Sequence, residues 1–292
     1  MTTTDPIIKA QEVSFAYAGS SSWAVDGLSF EISKGQFILL TGPTGCGKTT
    51  LLRTLQGLIP HFFKGTLKGQ IIIDGLDTAR SSITANARRV GLVFQDPELQ
   101  VIGTTVERDI AFGLENLAIE PLIIRNAVQN ILDSLSLDSL SEKRPSQLSG
   151  GQLRLVSLAS ILAMEPKILI LDEATTYLDA KNVERLIEIL RNLKQQGFTI
   201  IYSGHDLVPI LTLADSLWVI ESGHLAHMGP PEEVLASKEA QELILVPTIV
   251  ESFLKLREAL PHLPIPLPRD VQEALEWSKE YRPSWEQAEE SC

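Results

Sequence analysis

The segment GPTGCGKT, residues 42–49, has residues that could bind the phosphates of a nucleotide. It matches G-x-x-x-x-G-K-[ST] in full, follows the apolar run FILL at 37–40 and opens a helical pattern. Its glycines let main-chain amides converge on phosphate oxygens, Lys48 can neutralise the β- and γ-phosphates, and Thr49 can offer its hydroxyl to Mg²⁺. The pattern therefore predicts a nucleotide site rather than a plain glycine turn. Its predicted members are Gly42, Pro43, Thr44, Gly45, Cys46, Gly47, Lys48, Thr49 and Thr50.

Two acids follow another apolar run further along the chain. The segment ILILDEATTYLD spans residues 168–179 and brings Asp172 and Glu173 to the end of a predicted strand, where α/β sheets place their ligands. We predict that Asp172 holds Mg²⁺, through water, and that Glu173 polarises the attacking water as a general base. Taken alone, such a segment would more often be a strand-end turn with solvated acids. The phosphate loop makes the nucleotidase interpretation the stronger one.

Polar residues also follow two other predicted strands. Gln95 ends the run at 89–94, and its amide can reach both metal and water. His205 follows the strand at 198–204 and can donate to the γ-phosphate. Either residue alone would more often be an ordinary surface residue, but their matched positions after parallel strands favour a role. We therefore predict Glu173, His205 and Gln95 as catalytic residues and Thr49, Gln95 and Asp172 as metal ligands.

A second glycine pair lies in QLSGGQLRLV, residues 147–156. Ser149 and Gly151 can offer a hydroxyl and an amide at the N-terminus of a helix that starts near 150, which favours an anion. No lysine follows these glycines, so the site would bind phosphate only weakly by itself. The alternative is a flexible loop with a helix cap.

Composition limits the classes of function. The 292 residues carry a formal net charge of −12, which disfavours binding to nucleic acid and gives no attraction to anionic lipid. The N-terminal segment lacks the pattern of a signal peptide, and no apolar run approaches the ~20 residues that span a bilayer. Two cysteines make a disulfide framework implausible. We expect a soluble cytoplasmic protein whose membrane contact comes only through protein partners.

The remaining pattern predicts an α/β protein. Apolar runs at 69–75, 89–94, 167–172, 198–204, 216–221 and 224–228 read as strands, and helices are expected near 48–57 and 181–195. Residues 105–164 have helical spacing with breaks near Pro121 and Pro145, so a parallel-sheet core is interrupted by helices. After residue 239 a helical pattern and a proline-rich stretch precede Asp270 and Glu273, which resemble a capping box.

The motifs GPTGCGKT, FQD, LSGGQ, LDEAT, YLD and GHD occur in a fixed order that resembles the ABC-type ATPases over about residues 7–238. The resemblance implies a P-loop NTPase (RecA-like) core with an antiparallel β subdomain, an inserted α-helical subdomain at about 96–165, and a small C-terminal helical extension at 239–292. It also implies that Tyr17 contacts adenine, for which the alternative is a tyrosine of the strand core. In that family the signature loop closes on ATP held by another subunit. The residues expected to act in trans are Ser149, Gly150, Gly151, Gln152 and Asp179.

Within that family the chain is most similar to the ATPase subunits of energy-coupling factor importers. The similarity lies in residues 57–75, 91–117 and 162–175 and in the tail VPTIVESFLKLREALPHLPIPL. It implies ATP and Mg²⁺ as cofactors, and a second ATPase subunit, either the same chain or a similar paralogue. It also implies a transmembrane energy-coupling subunit that contacts residues near 96–120, and a membrane protein that captures a vitamin or a transition-metal ion. The location implied is peripheral, on the cytoplasmic face of the cell membrane.

One departure from the family pattern and three alternatives remain. The family usually has an arginine two or three residues after the signature glutamine, whereas here Arg154 is followed by Leu155, which we expect in the core. One alternative is the ATPase of another ABC membrane complex, such as an importer with a soluble binding protein. The others are a soluble ABC protein of DNA repair or translation, disfavoured by the acidic charge, and a nucleotide-dependent interaction module without hydrolysis, disfavoured by Glu173 and His205.

Overall fold

The computed structural model describes residues 5–176, 178–260 and 265–279. The strands in these residues are β1 (Ile8–Tyr17), β2 (Val25–Ile32), β3 (Phe37–Thr41), β4 (Gly65–Ile73), β5 (Leu76–Asp77), β6 (Val90–Val93), β7 (Ile168–Asp172), β8 (Thr199–Ser203), β9 (Ser216–Glu221) and β10 (His224–Gly229). The α-helices are α1 (Lys48–Gln56), α2 (Leu58–His61), α3 (Ile83–Ala87), α4 (Val106–Asn116), α5 (Pro121–Ser134), α6 (Gly150–Leu162), α7 (Ala180–Gln195), α8 (Pro231–Ala236), α9 (Lys238–Leu243) and α10 (Thr248–Ala259). Residues 271–279 are also helical.

The main sheet has six strands in the order β10-β9-β3-β8-β7-β6. All neighbours are parallel except β10, which pairs antiparallel with β9. Every residue of β3, β7 and β8 is buried, which explains their unbroken apolar sequences. Because parallel strands end at the same edge, the loops after β3, β6, β7 and β8 emerge side by side.

A second sheet has the order β2-β1-β4-β5 and is antiparallel. Tyr17 lies at the end of β1, opposite Gly65 of β4. The sequence predicted this fourth strand only from residue 69, whereas it begins at Gly65. Its first residues are mostly exposed and lack an apolar pattern, and the β1 pairing is irregular between Gln11 and Ser14, so periodicity did not reveal them.

Helices α4, α5 and α6 occupy the chain between β6 and β7, as the change in pattern at 105–164 indicated. The expected break near Pro121 lies at residues 117–120, between α4 and α5, and Pro121 is the first residue of α5, a position where the missing N–H costs no hydrogen bond. Pro145 opens a short 3₁₀ turn, Pro145–Gln147, just before α6. Leu155 is 2% exposed and joins the core, as expected.

The C-terminal segment packs on the α/β core. The rings of Phe253 and Trp277 meet edge to face with centroids 5.3 Å apart, within the same buried cluster as the main sheet. Arg269 lies 2.6 Å from Glu232 of α8. Asp270 accepts the N–H of Glu273 at 2.8 Å, and the Glu273 carboxylate accepts from Arg269 N, one residue before the expected cap.

Residues 261–264 and 280–292 of the predicted extension lie outside the described residues. None of the helices described combines the length and apolar character needed to cross a bilayer. The division at residue 238 stays a prediction.

Candidate nucleotide site

The glycine loop between β3 and α1 has a backbone that only glycine allows at two points. Gly42 has φ 141°, and a methyl group there would lie 2.1 Å from the carbonyl oxygen of Ile220. Gly47 has φ 113°, and a methyl group there would lie 2.4 Å from the carbonyl oxygen of Ala24. Both glycines therefore seat the loop tightly against its neighbours. Residues 43–45 at its crest are exposed, which leaves their amides open to a ligand.

Lys48 is the buried cation of this loop. Its side chain is 6% exposed, and its ammonium donates to the carbonyls of Gly42 at 2.9 Å and Pro43 at 3.0 Å. The ion pairs of the described residues do not include it. A positive charge satisfied only by neutral carbonyls is well suited to binding an anion.

Asp172 is held by two hydroxyls at the end of β7. Its Oδ2 accepts from Thr49 Oγ1 at 2.9 Å, and its Oδ1 accepts from Ser203 Oγ of β8. The carboxylate is 6% exposed. The geometry joins Thr49 and Asp172, as the sequence predicted, and provides oxygen ligands of the kind Mg²⁺ prefers.

Glu173, the neighbouring acid, lies between two polar side chains. Its Oε2 accepts from Gln95 Nε2 at 2.8 Å, and its Oε1 lies 3.3 Å from His205 Nε2. Its backbone has φ 48°, an uncommon conformation for glutamate, and its N–H donates to Ser203 O at 3.0 Å. Residues from three separate loops thus converge on one carboxylate. A cavity of about 540 Å³ connects them with Lys48 and Tyr17.

Tyr17 forms the aromatic end of that cavity. Its hydroxyl lies 3.1 Å from Thr50 Oγ1, and Arg53 donates to it at 3.4 Å. Its ring packs edge to face on Phe15 and Phe63, with centroids 4.9 and 6.4 Å away. The ring is half-buried, so it is neither a core tyrosine nor a free surface one.

The signature loop lies elsewhere on the surface. Ser149 and Gly150 are exposed, and Ser149 Oγ accepts the N–H of Gln152 at 3.3 Å as a helix cap. Gly151 is buried against Asn182, where a methyl group would lie 2.4 Å from Cγ. Asn182 also donates to Asp179 from N at 2.8 Å and from Nδ2 at 2.9 Å. The five residues expected to act in trans therefore form one patch separate from the cavity, joined by a residue that the sequence did not single out.

Other contributors were also not predicted. Ser203 binds Asp172, and Tyr202 accepts from Thr175 N at 3.0 Å and lies 2.7 Å from Thr175 Oγ1. Gln100 fixes the end of β6 by accepting from Phe94 N and donating to Leu92 O, each at 3.0 Å. None of these positions carries a recognisable motif. Only their positions beside strand ends could have marked these residues as candidates for the site, and that signal is weak.

Burial alters two titratable groups at the site. Burial raises the pKa of the Cys46 thiol in the glycine loop, although Lys48 opposes the rise. Burial raises the pKa of Tyr202 to about 12, so its hydroxyl stays protonated in the physiological range. Neither group is therefore an anion when a nucleotide would bind.

An apolar hollow of about 630 Å³ lies beside Thr49 and Asp172. Phe62 and Leu99 line it and are 70% and 76% exposed. Ile102 and Phe112, further along the chain, are 61% and 45% exposed. Three of the four fall in the predicted contact region at 96–120, and Phe62 adds a residue outside it.

This sheet, with a glycine loop after the central strand β3 and acids after β7, which is separated from β3 by β8 alone, defines the class of P-loop nucleotidases. The ABC transporter family model matches residues 25–176, and the chain belongs to that family and is an ATPase. Its family binds ATP, normally with Mg²⁺.

Similar relatives include ATP-binding proteins of named transporters. The cobalt import ATP-binding protein CbiO of Syntrophus aciditrophicus is 36% identical, over 86% of this chain and 89% of that protein. The energy-coupling factor transporter ATP-binding protein EcfA1 of Latilactobacillus sakei is 36% identical, over 90% and 92%. The structure of cbiO1 from Clostridium perfringens, part of the transporter complex cbiONQ, matches with a TM-score of 0.72 and 31% identity, over 89% and 97%.

Proposed function

We propose that this chain is the ATP-hydrolysing subunit of an energy-coupling factor importer for a vitamin or a transition-metal ion. The observation that carries the proposal is the division of one phosphate site into two halves within a chain similar to EcfA1 and CbiO. One half is the cavity at Lys48, and the other is the exposed patch at Ser149. Residues 7–238 would form the ATPase domain and residues 239–292 the extension.

The cavity residues would divide the work of phosphoryl transfer. The loop amides and Lys48 would hold the β- and γ-phosphates, and Tyr17 would contact the adenine. Thr49 and Asp172 fit a magnesium site because their oxygens lie 2.9 Å apart near the loop, and Gln95 lines the same hollow. Mg²⁺ bound there would neutralise charge on the phosphate oxygens.

Glu173 would take the proton of the attacking water, since its carboxylate is the group on which Gln95 and His205 converge. Gln95 would orient that water through its amide, and His205 would donate to the γ-phosphate oxygen. The products would be ADP and phosphate. This assignment explains why three loops are held around one acid.

The exposed patch would complete the site of a second subunit. Ser149 Oγ already accepts one hydrogen bond and keeps its own proton to donate, and the first amides of a helix have no partner within the helix. ATP would then hold two subunits together, and loss of the γ-phosphate would release them. The second subunit is another copy of this chain, which has both halves, or a paralogue with the same loops.

The apolar hollow would receive a transmembrane partner on the cytoplasmic face of the membrane. The support is its exposed apolar side chains next to Gln95, where docking can affect the catalytic loop. This subunit would touch the membrane only through that partner. Its cargo would be captured by a separate membrane protein.

Co-expression and co-purification with a transmembrane subunit of energy-coupling factor type test the proposal. We expect Leu99→Asp and Phe62→Asp to abolish co-purification while ATP binding by the isolated chain persists. Val271→Asp is the matched control, because Val271 is 62% exposed but lies in the C-terminal segment. Equal co-purification of all three variants would contradict the docking site. Co-purification of a soluble-binding-protein importer instead would contradict the energy-coupling factor assignment.

A further inference from the structure

Arg154 is a charged residue in the interior of the fold. Its side chain is 2% exposed and is among the largest fully buried side chains in the described residues. It takes part in none of the ion pairs of those residues, and its Nε has no hydrogen-bond partner there. Burial lowers the pKa of its guanidinium, and Tyr202, Asp96 and Asp172 partly oppose this. A buried cation without a carboxylate partner is costly, so it needs a reason to be there.

The guanidinium of Arg154 binds the main chain of the loop that carries Gln95. Nη1 donates to the carbonyl of Phe94 and Nη2 to the carbonyl of Gln95. Two parallel N–H groups on two successive carbonyls fix the direction of the peptide chain as well as its position. Gln100 stabilises the same segment, because its side chain accepts a hydrogen bond from Phe94 N and donates one to Leu92 O. The backbone of Gln95 is therefore held, although its side chain is exposed.

Arg154 also belongs to the helix that carries the signature loop. It lies in the second turn of α6, which begins at Gly150 directly after Ser149. The other end of the connection is the Gln95 amide, 2.8 Å from Glu173. The Arg154 side chain thus connects the helix that carries the exposed patch at Ser149 with Gln95, which lies beside Glu173 of the same chain. Leu155, in the next position, has only core contacts.

We propose that Arg154 is a positioning residue that makes the signature helix and Gln95 move as one unit. When the loop around Gln95 shifts on binding a γ-phosphate, the two carbonyls carry Arg154 and α6 with it. The signature patch then reaches its closing position only when Gln95 is engaged. The proposal deepens the proposed function and rests on the roles given there to Gln95 and Ser149.

A double-mutant cycle on ATP hydrolysis by the isolated chain tests the connection. Arg154→Met should lower kcat by about 100-fold, since a displaced catalytic group can cost that much. Binding of a fluorescent ATP analogue to the single subunit should stay within about twofold of wild type, because no phosphate-binding group is removed. In a Gln95→Ala background Arg154→Met should add almost no further loss, since residues acting through one another are not additive.

A second readout does not depend on turnover. In a Glu173→Gln background, Arg154→Met should raise the ATP concentration needed for dimerisation, measured by light scattering. Arg154→Lys should show the same defects, because a lysine keeps the charge but lacks the fork that binds two carbonyls. The lysine variant decides the cycle if the methionine variant does not fold.

Two matched controls separate the connection from stability. Arg185→Met removes an arginine that also donates to main-chain carbonyls, those of Leu135 and Ser136, but far from Gln95. Its effect should multiply fully with that of Gln95→Ala. Ser157→Ala, which removes a buried hydroxyl bonded within α6, should leave kcat unchanged.

Full multiplication of the Arg154 and Gln95 effects would overturn the proposal, as would dimerisation of Arg154→Met at wild-type ATP concentrations. Both measurements use the isolated chain. Failure to bind a transmembrane partner would therefore refute the importer assignment without deciding this one.

Discussion

The loop at 42–49 and the loop at 149–152 both place glycines at a helix N-terminus, but the chain completes only the first. Around the first, Lys48 donates to the carbonyl of Gly42, Thr49 donates to Asp172, and Gln95 donates to Glu173. Around the second, Ser149 and Gly150 face solvent, and the supporting contacts lie behind the loop. The first loop belongs to a nearly complete site, and the second is an exposed surface available to another molecule.

The difference shows that a loop that would bind phosphate only weakly by itself can still be fully formed. The second loop lacks a cation because, in our proposal, the cation is Lys48 of another subunit. Gly151 and Asp179 are fixed to each other through Asn182, so the patch keeps its shape without a ligand. Variants that act on one loop should therefore affect different steps from variants that act on the other.

Removal of the acid on which the cavity residues converge should have the largest effect. We expect Glu173→Gln to lower kcat by about 10²- to 10⁴-fold, since general base catalysis contributes on that order. ATP binding and ATP-driven dimerisation should persist, because the loop and the signature patch are intact. Single-turnover hydrolysis and size-exclusion chromatography measure the two properties. Glu184→Gln, at an exposed position on α7, is the control, and wild-type turnover in Glu173→Gln would remove Glu173 from its role.

Substitutions of Lys48 and Ser149 should differ in their effect on ATP binding by the single subunit. Lys48→Ala should weaken ATP binding by about 10- to 100-fold, since a charge-assisted hydrogen bond contributes roughly 1.5–3 kcal/mol. Ser149→Arg should leave that affinity unchanged and abolish ATP hydrolysis, because both composite sites of its dimer carry the substitution. Titration of the monomer with a fluorescent ATP analogue measures the affinities. Weakened binding of ATP to the Ser149→Arg monomer would show that the two loops are not separate.

Tyr17 should contribute a smaller share of the affinity. Tyr17→Ala should weaken ATP binding by up to about tenfold, because aromatic stacking contributes roughly 0.5–1.5 kcal/mol. Tyr17→Phe keeps the ring and loses only the hydroxyl contacts with Thr50 and Arg53, so its affinity should stay close to wild type. Competition with GTP and ATP, compared between the variants, measures the effect. Equal losses in both variants would assign the role to the hydroxyl instead of the ring.

The thiol of Cys46 should show the smallest effect. Its raised pKa lowers the thiolate fraction at neutral pH, so alkylation in the Cys292→Ser variant should be slower than in the same chain in urea. The rate should rise with pH. Because the pKa of this thiol is higher in the folded than in the unfolded chain, the thiol contributes stability at low pH that is lost as pH rises. Equal alkylation rates in the folded and unfolded chains would show that the thiol is not shielded.

Much of the fold could be read from the sequence because its signals are local. β3, β7 and β8 are buried on both faces, so each contains a run of apolar residues, and helices α1 and α7 begin and end close to their predicted bounds. The first part of β4 was missed because its pairing with β1 depends on distant residues. The breaks near Pro121 and Pro145 were predicted because proline is tolerated at the start of a helix but not in its interior.

The candidate site divides in the same way. The predicted cavity residues are close together in the structure, and their roles stay predictions. Ser203, Asn182 and Gln100 could not be predicted, because a serine, asparagine or glutamine carries no signal until its neighbour is known. Arg154 was visible in the sequence as a departure from the family pattern, but only the fold gives its contacts with Phe94 and Gln95. Tyr177, in the YLD motif, lies outside the described residues.

A mixing experiment tests most directly whether the two loops form one shared site. Lys48→Ala and Ser149→Arg should each hydrolyse almost no ATP alone. In an equal mixture, half of the random dimers contain both variants, and each mixed dimer has one composite site with a normal lysine and a normal serine. The account predicts recovery towards about one quarter of the wild-type activity per subunit. No recovery at any ratio, with both variants folded, would contradict a site shared between two copies of this chain.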